Sequence, residues 1–343
     1  MKILIYNNSP QIGDNIRLFN LINTLNSSIH NCELWYLGSD DYDLFSGPLK
    51  AYNLCIHRMP QSTHPGGYNL SPWRLYFRKG KSKYPKTPFD LVINMGSDLK
   101  ESLMVRQIPT KFYYSAATCF IFCSRYRYYR KHTTDPTIIV KNIEKMLNLS
   151  IPIKPYNIQQ IDSDLYKEAK RLLPGDRYIG FAVTKASVTR KKWPLERFIN
   201  IANEVSFRGY NPVFLIERKH QTTIDRIKKE VPNAVFPELD SSMACPALVT
   251  ALTTRLLAAV SLNCGIMHMM GLANIPMVVL FGKTDPKKFA PRIDQIQILD
   301  SKALHNTDNI ESISENEVMY ALDQLRAKPE DAPTSKEAVT TRQ

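Results

Sequence analysis

Short apolar segments alternate along the first half of the chain with longer segments whose apolar residues recur at helical spacing. Short apolar runs predict buried strands, and helical spacing predicts amphipathic helices. The predicted strands are residues 2–6, 32–37, 89–95 and 111–115, and the predicted helices are residues 15–25, 97–107 and 136–149. Strands that alternate with helices are typical of a parallel sheet with helices on its faces, so we expect an α/β domain here.

The same alternation recurs in the second half, after a proline-containing linker at residues 150–161. The predicted strands are residues 178–183, 212–217, 259–262 and 277–281, and the predicted helices are residues 194–207, 221–230, 248–258, 266–273 and 311–326. We therefore expect two α/β domains, residues 1–157 and 158–326, with ligands bound in a cleft at the carboxyl ends of the strands. Residues 327–343 are polar and predict a disordered tail.

The composition excludes several classes of protein. Hydrophobic residues make up 43% of the 343 residues and charged residues 22%, which is ordinary for a globular protein and too apolar for a largely disordered chain. The apolar runs are strand-sized, whereas a membrane helix needs roughly 18 apolar residues. The first apolar run is also too short for the core of a signal peptide, so we expect a cytoplasmic protein.

Positive charge is concentrated in the first half of the chain. The formal net charge is +13, and residues 1–157 contain 20 Lys and Arg against 10 Asp and Glu, whereas residues 158–343 contain 25 against 22. Basic clusters lie at residues 74–86 and 125–131, the second interleaved with tyrosines. This excess indicates an anionic partner such as phosphate, nucleic acid or a membrane surface, but a solvated charged surface is the favoured interpretation of the two clusters, because runs of charge often only solvate a protein.

One carboxylate follows the first predicted strand. Gly13-Asp14 lies in the loop before the next helix, where a carboxylate points into the cleft and can accept a proton. The alternative is that Asp14 is an N-cap that binds free N–H groups of the helix, and spacing alone favours this alternative.

Three segments of the second half have the residue types of an anion site. Residues 183–194 place hydroxyl groups and cations between a predicted strand and a predicted helix, although a solvated basic loop has the same composition. In Asn263-Cys264-Gly265 the glycine permits close approach of a ligand, and His268, one turn further on, is either a ligand contact or a structural histidine. Thr284 and Asp285 follow the strand at 277–281 and could rim the same pocket.

Two short motifs admit a metal but favour a simpler interpretation. Cys119 and Cys123 have no His or second Cys pair at metal spacing, so reduced and partly buried thiols are favoured. Asp41-Tyr42-Asp43 is formally a DxD sequence, but acidic turns are common after a strand. The sequence therefore predicts no bound metal.

Five segments, taken in order, carry a family resemblance. They are Gly13-Asp14 before a helix, Lys100 and Ser102 with Glu101 between them, Lys191-Lys192-Trp193-Pro194 as K-x-W-P, residues 263–268 as a variant of D-[ST]-G-x-x-H, and residues 280–286 as L-F-G-x-T-D-P. Together they make the chain resemble the ADP-heptose:lipopolysaccharide heptosyltransferases, glycosyltransferase family 9, over about residues 1–325.

The resemblance implies a GT-B fold, in which two Rossmann-like domains have parallel sheets that face a central cleft. Residues 1–157 would bind the acceptor and residues 158–326 the nucleotide-sugar, in an inverting and metal-independent transfer with Asp14 as the general base. The implied donor-binding residues are Thr184, Ser187, Thr189, Lys191, Glu217, Asn263, Cys264, Gly265, His268, Thr284 and Asp285. The implied acceptor-binding residues are Lys100, Arg74, Arg78, Arg125 and Arg127.

The implied partners follow from this chemistry. No cofactor is expected, because ADP-heptose or another nucleotide-sugar is the co-substrate. The acceptor is an anionic lipopolysaccharide core or a related glycan, which the protein would meet by peripheral contact with the cytoplasmic face of the inner membrane. The basic first half would steer this acceptor, and no nucleic acid is expected.

The chain departs from the family pattern at Asn263 and Cys264, where the family has Asp and then Ser or Thr. This departure leaves two alternatives open, namely transfer of a different sugar and a catalytically impaired nucleotide-sugar-binding protein of the same fold. A third hypothesis, a nucleic-acid-binding protein, suits the sequence pI of about 9.3 but lacks any RRM, helix-turn-helix or zinc-finger signature.

Overall fold

The computed structural model describes residues 1–9, 11–38, 52–59, 88–96, 99–115, 123–124, 136–183 and 193–326. The chain forms two compact units. The first consists of Met1–Glu168 and Met243–Ala251, and the second consists of Ala169–Ser242 and the chain from Leu252 onward. The expected tail at residues 327–343 lies outside the described residues.

The first unit is built on a five-stranded parallel sheet with the strand order β3-β2-β1-β4-β5. The strands are β1 (Lys2–Asn7), β2 (Glu33–Gly38), β3 (His57–Arg58), β4 (Phe89–Asn94) and β5 (Thr110–Ser115). The helices are α1 (Ile12–Arg17), α2 (Phe19–Ser28), α3 (Leu99–Val105) and α4 (Pro136–Leu147), with a 3-10 turn at Ile158–Gln160. Residues 3–6 of β1 have no exposed surface, which explains their continuous apolar sequence.

The second unit has a five-stranded parallel sheet with the strand order β10-β9-β8-β6-β7. The strands are β6 (Tyr178–Ala182), β7 (Asn211–Leu215), β8 (Ala258–Leu262), β9 (Met277–Phe281) and β10 (Ile296–Asp300). Helix α5 (Ser163–Leu172) begins in the first unit and ends in the second, and α8 (Pro246–Thr253) belongs mainly to the first unit. The helices of the second unit are α6 (Leu195–Phe207), α7 (Gln221–Glu230), α9 (Gly265–Leu272), α10 (Pro286–Phe289), α11 (Ser301–His305) and α12 (Glu315–Arg326). Turns of 3-10 helix occupy Arg218–His220, Pro237–Asp240 and Ile310–Ser312.

Several predicted elements need correction. The helix predicted at residues 15–25 is two helices that meet at Leu18. The helix predicted at residues 248–258 ends at Thr253, because the chain turns at Arg255, whose guanidinium group donates to the carbonyl of Gly175 at 2.7 Å. Ala258 already belongs to β8.

Among the described residues, five helices and strands were not predicted at all, namely β3, α5, α10, β10 and α11. The strand β10 lies at the edge of its sheet and is only partly buried, and α5 is rich in charged residues. Neither has the long apolar pattern on which the prediction relied. Among the helices of the described segments, none has the length and apolar content that crossing a bilayer requires.

Each sheet contains one point at which the strand order reverses. In the first unit the chain builds outward from β1 to β3 and then returns to place β4 on the other side of β1, and in the second unit β7 and β8 flank β6 in the same way. Open parallel sheets bind their ligands beyond the carboxyl ends of the strands at such points. The topology therefore locates one candidate region in each unit.

Candidate functional site

Asp14 lies just beyond the carboxyl end of β1, beside the reversal point of the first sheet. It belongs to the first turn of α1, whose N-cap position is occupied by Gln11, so the alternative that Asp14 is the N-cap is wrong. Its Oδ2 atom accepts a hydrogen bond from Ser9 Oγ at 2.7 Å, and its Oδ1 atom lies 3.6 Å from Arg17 Nη1. The side chain is 41% exposed, so a substrate can reach the carboxylate.

A buried polar network fixes the segment that carries Asp14. Asn7 Nδ2 donates to Asn15 Oδ1 at 2.8 Å, and the hydroxyl group of Tyr36 donates to the same oxygen at 3.0 Å. All three side chains are almost fully buried. Buried hydrogen bonds of this kind have no competition from water, so they hold the start of α1 in one position.

The loop after β4 forms the other side of this reversal point. Met95 N donates to Tyr6 O at 2.9 Å, which places the loop beside β1. Lys100 is exposed on α3, whereas Ser102 is fully buried and receives a hydrogen bond from Asn94 Nδ2 at 3.1 Å. Lys100 can therefore contact a ligand, and Ser102 has a structural role. The other predicted acceptor-binding residues, Arg74, Arg78, Arg125 and Arg127, lie outside the described residues.

In the second unit the parallel register brings two predicted donor-binding residues together. Leu262 of β8 lies opposite Leu280 of β9, so the loops that follow these strands begin side by side. Asn263 Nδ2 donates to Thr284 Oγ1 at 2.9 Å, and both side chains are partly exposed. This contact was not predicted.

The helix α9 begins directly after this contact. Cys264 is its N-cap residue and makes no side-chain capping hydrogen bond, and Gly265 is the first helical residue. The N–H groups of the first turn of a helix attract anions. His268 lies in the next turn and is only 9% exposed, so its imidazole is largely enclosed by protein.

Two predicted donor-binding acids, Glu217 and Asp285, are exposed and contact neighbouring residues of the chain. Glu217 is the residue before the 3-10 turn Arg218–His220 and forms an ion pair with Lys219. Asp285 accepts a hydrogen bond from Lys287 N at 2.9 Å and is the N-cap residue of α10. Asp285 therefore has a capping role in addition to any contact with a ligand.

Glu238 is a candidate residue that the sequence analysis missed. Burial, and then repulsion from Glu217, raises the pKa of its carboxyl group from 4.5 to about 7. Its Oε1 atom is buried and has no hydrogen-bond partner among the residues that the structure describes. A strongly perturbed carboxyl group, here in the 3-10 turn Pro237–Asp240, is typical of functional sites. The only signal in the sequence is an acid directly after Phe236 and Pro237.

The segment before α6 is described only from Trp193 onward. The indole Nε1 of Trp193 donates to Ile313 O at 2.9 Å, and its ring packs edge-on against Phe198. Pro194 is the N-cap residue of α6, so this helix begins at Leu195, one residue later than predicted. The predicted donor-binding residues Thr184, Ser187, Thr189 and Lys191 lie outside the described residues.

No group of three or more His, Cys, Asp or Glu side chains in the described part of the chain is arranged to hold a metal ion. The Asp41-Tyr42-Asp43 motif and Cys119 lie outside the described residues. Cys123 is described, and its thiol donates to Ser115 O at 2.9 Å. Burial raises the pKa of this thiol to about 12, as for a structural cysteine.

The chain has two α/β units, each built on a parallel sheet with polar side chains beyond its strand ends. This architecture and the similar solved structures define the GT-B class, so the predicted GT-B fold is confirmed. Residues 82–318 match the family model of glycosyltransferase family 9 (heptosyltransferase). The chain therefore belongs to glycosyltransferase family 9, as its motifs predicted, and is a glycosyltransferase.

Solved structures share this fold. A family 9 glycosyl transferase from Veillonella parvula is 17% identical, with a TM-score of 0.66 over 94% of this chain and 96% of that chain. E. coli heptosyltransferase WaaC, solved with ADP, is 15% identical, with a TM-score of 0.67 over 95% of this chain and 100% of that chain. E. coli ADP-heptose lps heptosyltransferase II is 15% identical, with a TM-score of 0.61 over 95% of this chain and 98% of that chain. No curated protein matches the chain in a comparison of sequences.

Proposed function

We propose that this glycosyltransferase transfers a heptose from ADP-heptose to a lipopolysaccharide core or a related glycan, with inversion at the anomeric carbon and without a metal ion. The observation that carries the proposal is the partly exposed Asp14 carboxylate, held by Ser9 beyond the end of β1 at the reversal point of the first sheet. The names of the similar structures support the donor, since one was solved with ADP and another is an ADP-heptose lps heptosyltransferase.

Asp14 acts as the general base in this proposal. Its carboxylate takes the proton of the acceptor hydroxyl as that oxygen attacks the anomeric carbon, and the bond from this carbon to the diphosphate oxygen breaks. Attack from the side opposite the leaving group inverts the configuration. Ser9 donates to Oδ2 and Arg17 lies 3.6 Å from Oδ1, so these residues orient the carboxylate, and each oxygen keeps a lone pair that can take the acceptor proton.

The second unit holds the donor. The leaving diphosphate gains negative charge in the transition state, and fixed N–H groups and cations stabilise that charge. The first turn of α9, from Gly265 to His268, supplies such groups together with Cys264. By family resemblance, Glu217 contacts the nucleoside. The loop residues Thr184, Ser187, Thr189 and Lys191 complete the set by family resemblance, and Asn263, Thr284 and Asp285 line the same edge.

The first unit binds the acceptor. Lys100, which is exposed on α3, and the basic residues Arg74, Arg78, Arg125 and Arg127 attract the phosphates and acidic sugars of an inner-core acceptor. Such an acceptor is anchored in a membrane, so the enzyme works in peripheral contact with the cytoplasmic face of the inner membrane.

The test is Asp14→Asn, which keeps the size of the side chain and removes its basicity. We expect the rate of heptose transfer from ADP-heptose to a truncated lipopolysaccharide to fall by about 100- to 10,000-fold, while the affinity for ADP stays within about twofold of wild type. Asp164→Asn is the matched control, because Asp164 is an exposed acid of the same unit that pairs with Lys167.

Mass detection of the product, NMR of its anomeric carbon and a reaction in EDTA complete the experiment. Full turnover by Asp14→Asn removes Asp14 from the mechanism, and retained configuration or loss of activity in EDTA contradicts the proposed reaction. Binding of ADP-heptose by the wild type without release of ADP supports the second candidate, a nucleotide-sugar-binding protein without transfer, which the neutral Asn263 favours.

A further inference from the structure

Asn15 follows the proposed general base directly in the sequence but faces the interior of the first unit. Asp14 and Asn15 both belong to α1, and consecutive side chains of a helix point about 100° apart around its axis. Asp14 is therefore partly exposed, whereas Asn15 is only 1% exposed. Burying an amide is costly unless its polar atoms are hydrogen-bonded, so the partners of Asn15 define its role.

The partners of the Asn15 amide fix its orientation. Asn15 Nδ2 lies 3.4 Å from the main-chain carbonyl oxygens of both Ser9 and Gln11, which can only accept. The nitrogen must therefore face this loop, and the oxygen must face the sheet. There Asn15 Oδ1 accepts from Asn7 Nδ2 at 2.8 Å and from the Tyr36 hydroxyl group at 3.0 Å. The amide thus connects β1 and β2 to the loop that precedes α1.

This loop determines the direction of the hydroxyl group that contacts the proposed base. Gln11 N donates to Ser9 Oγ at 3.3 Å, and Ser9 Oγ donates its single proton to Asp14 Oδ2 at 2.7 Å. Ser9 and Gln11 are the same two residues whose carbonyl oxygens Asn15 Nδ2 contacts. A shift of this loop after loss of the Asn15 amide would therefore move the Ser9 hydroxyl group away from the carboxylate.

We propose that Asn15 is a positioning residue for the general base, and that it acts on Asp14 through Ser9. The inference rests on the proposed function, because it assumes that Asp14 takes the proton of the acceptor hydroxyl. Transfer requires the carboxylate oxygen, the acceptor hydroxyl and the anomeric carbon to be aligned, and a small misplacement of the base lowers the rate strongly. The connection to the buried sheet keeps the carboxylate in the orientation that transfer requires.

The test is a double-mutant cycle between residues 15 and 9, measured as kcat for heptose transfer from ADP-heptose to a truncated lipopolysaccharide. Asn15→Leu keeps the approximate size of the side chain and removes the hydrogen bonds of the amide. We expect Asn15→Leu and Ser9→Ala each to lower kcat by about tenfold, with KM for ADP-heptose within about twofold of wild type. Because both changes act on the same carboxylate, the double variant should lose about 10- to 20-fold, whereas independent effects would multiply to about 100-fold.

Tyr36→Phe is a milder variant that keeps the cycle informative if Asn15→Leu does not fold. It removes one of the two donors to Asn15 Oδ1 and leaves the donor from Asn7 in place. We expect Tyr36→Phe to lower kcat by about 2- to 3-fold in the wild-type background, and to have no further effect in the Ser9→Ala background.

Asn142→Leu is the matched control. Asn142 is a buried asparagine of α4 in the same unit, and its Nδ2 atom donates to the Tyr114 hydroxyl group at 3.2 Å. Urea unfolding of the two leucine variants measures how much stability each loses. We expect both variants to lose stability, but only Asn15→Leu to lose kcat, because a general loss of stability does not misplace the carboxylate.

Four results overturn the inference and leave the proposed function standing. They are wild-type kcat in Asn15→Leu and Tyr36→Phe, multiplicative effects of the changes at residues 15 and 9, an equal loss of kcat in Asn142→Leu, and a loss that appears in KM for ADP-heptose instead of kcat. A wild type that transfers no heptose, or an Asp14→Asn variant that transfers it at the wild-type rate, contradicts the proposed function itself, and the inference then fails with it.

Discussion

Glu238 provides a test of how burial and charge act on the stability of the second unit. Its carboxyl group is enclosed by protein and lies near Glu217, so its pKa is raised from 4.5 to about 7 in the folded chain. The folded protein therefore binds this proton more tightly than the unfolded chain does. The free energy of unfolding falls as the pH rises from 4.5 through 7, and the full cost of ionising the buried group is present above pH 7.

The magnitude follows from the two pKa values. A separation of one unit is worth about 1.4 kcal/mol, so a carboxyl group at about 7 instead of 4.5 lowers stability by about 3 kcal/mol above pH 7. Glu238→Gln keeps the shape of the protonated acid and cannot ionise. We expect the variant to be more stable than wild type by up to about 3 kcal/mol at pH 8, and by less than about 1 kcal/mol at pH 5.

Urea unfolding of both proteins between pH 5 and pH 8, followed by fluorescence, measures this difference. Trp193 is buried in the second unit and reports its unfolding. Glu311→Gln is the matched control, because Glu311 is an exposed glutamate of the same unit. The reasoning is refuted if the difference in free energy of unfolding between Glu238→Gln and wild type is constant over this pH range. It is also refuted if the variant loses stability relative to wild type as the pH rises.

Two further variants test the first unit. Ser9→Ala removes the hydrogen bond to Asp14 Oδ2, so we expect the rate of transfer to fall by about tenfold with unchanged affinity for ADP. An unchanged rate contradicts the role of Ser9. Ser28→Ala is the control, because it removes a serine hydrogen bond elsewhere in the same unit. In Gly38→Ala the added Cβ atom would lie 1.8 Å from Asn7 O, a backbone atom that cannot move aside. We therefore expect the free energy of unfolding in urea to fall by about 1–3 kcal/mol or more. An unchanged midpoint of unfolding would mean that β1 and β2 separate without cost.

The sequence was informative wherever one local pattern determined the structure. Residues 3–6 and 277–281 are buried on both faces of parallel sheets, and burial on both faces requires the continuous apolar runs that predicted them. The two-unit α/β architecture followed from the alternation of such runs with helices. The strand β10 lacks this pattern because it lies at a sheet edge and is half-exposed.

The candidate site was less predictable because its contacts join distant parts of the chain. Asp14 looked like an N-cap from its position before a predicted helix, but α1 begins at Ile12 and places Asp14 within its first turn. The burial of Glu238 depends on the packing of a turn that no periodic pattern describes. The contact between Asn263 and Thr284 depends on the register of β8 and β9, which the sequence of neither strand contains.

Two asparagines at strand ends, Asn94 and Asn263, differ in how much of their hydrogen-bonding capacity is used within the protein. Asn94 is buried, its Nδ2 atom donates to Ser102 Oγ, and its Oδ1 atom accepts from Gly96 N, so both ends of the amide are engaged within the protein. Asn263 is partly exposed and uses one end only, among the described residues. Leaving a polar group unpaired is costly unless water or a ligand completes its hydrogen bonds. The first amide therefore holds a loop in place, and the oxygen of the second is left for water or a ligand to complete.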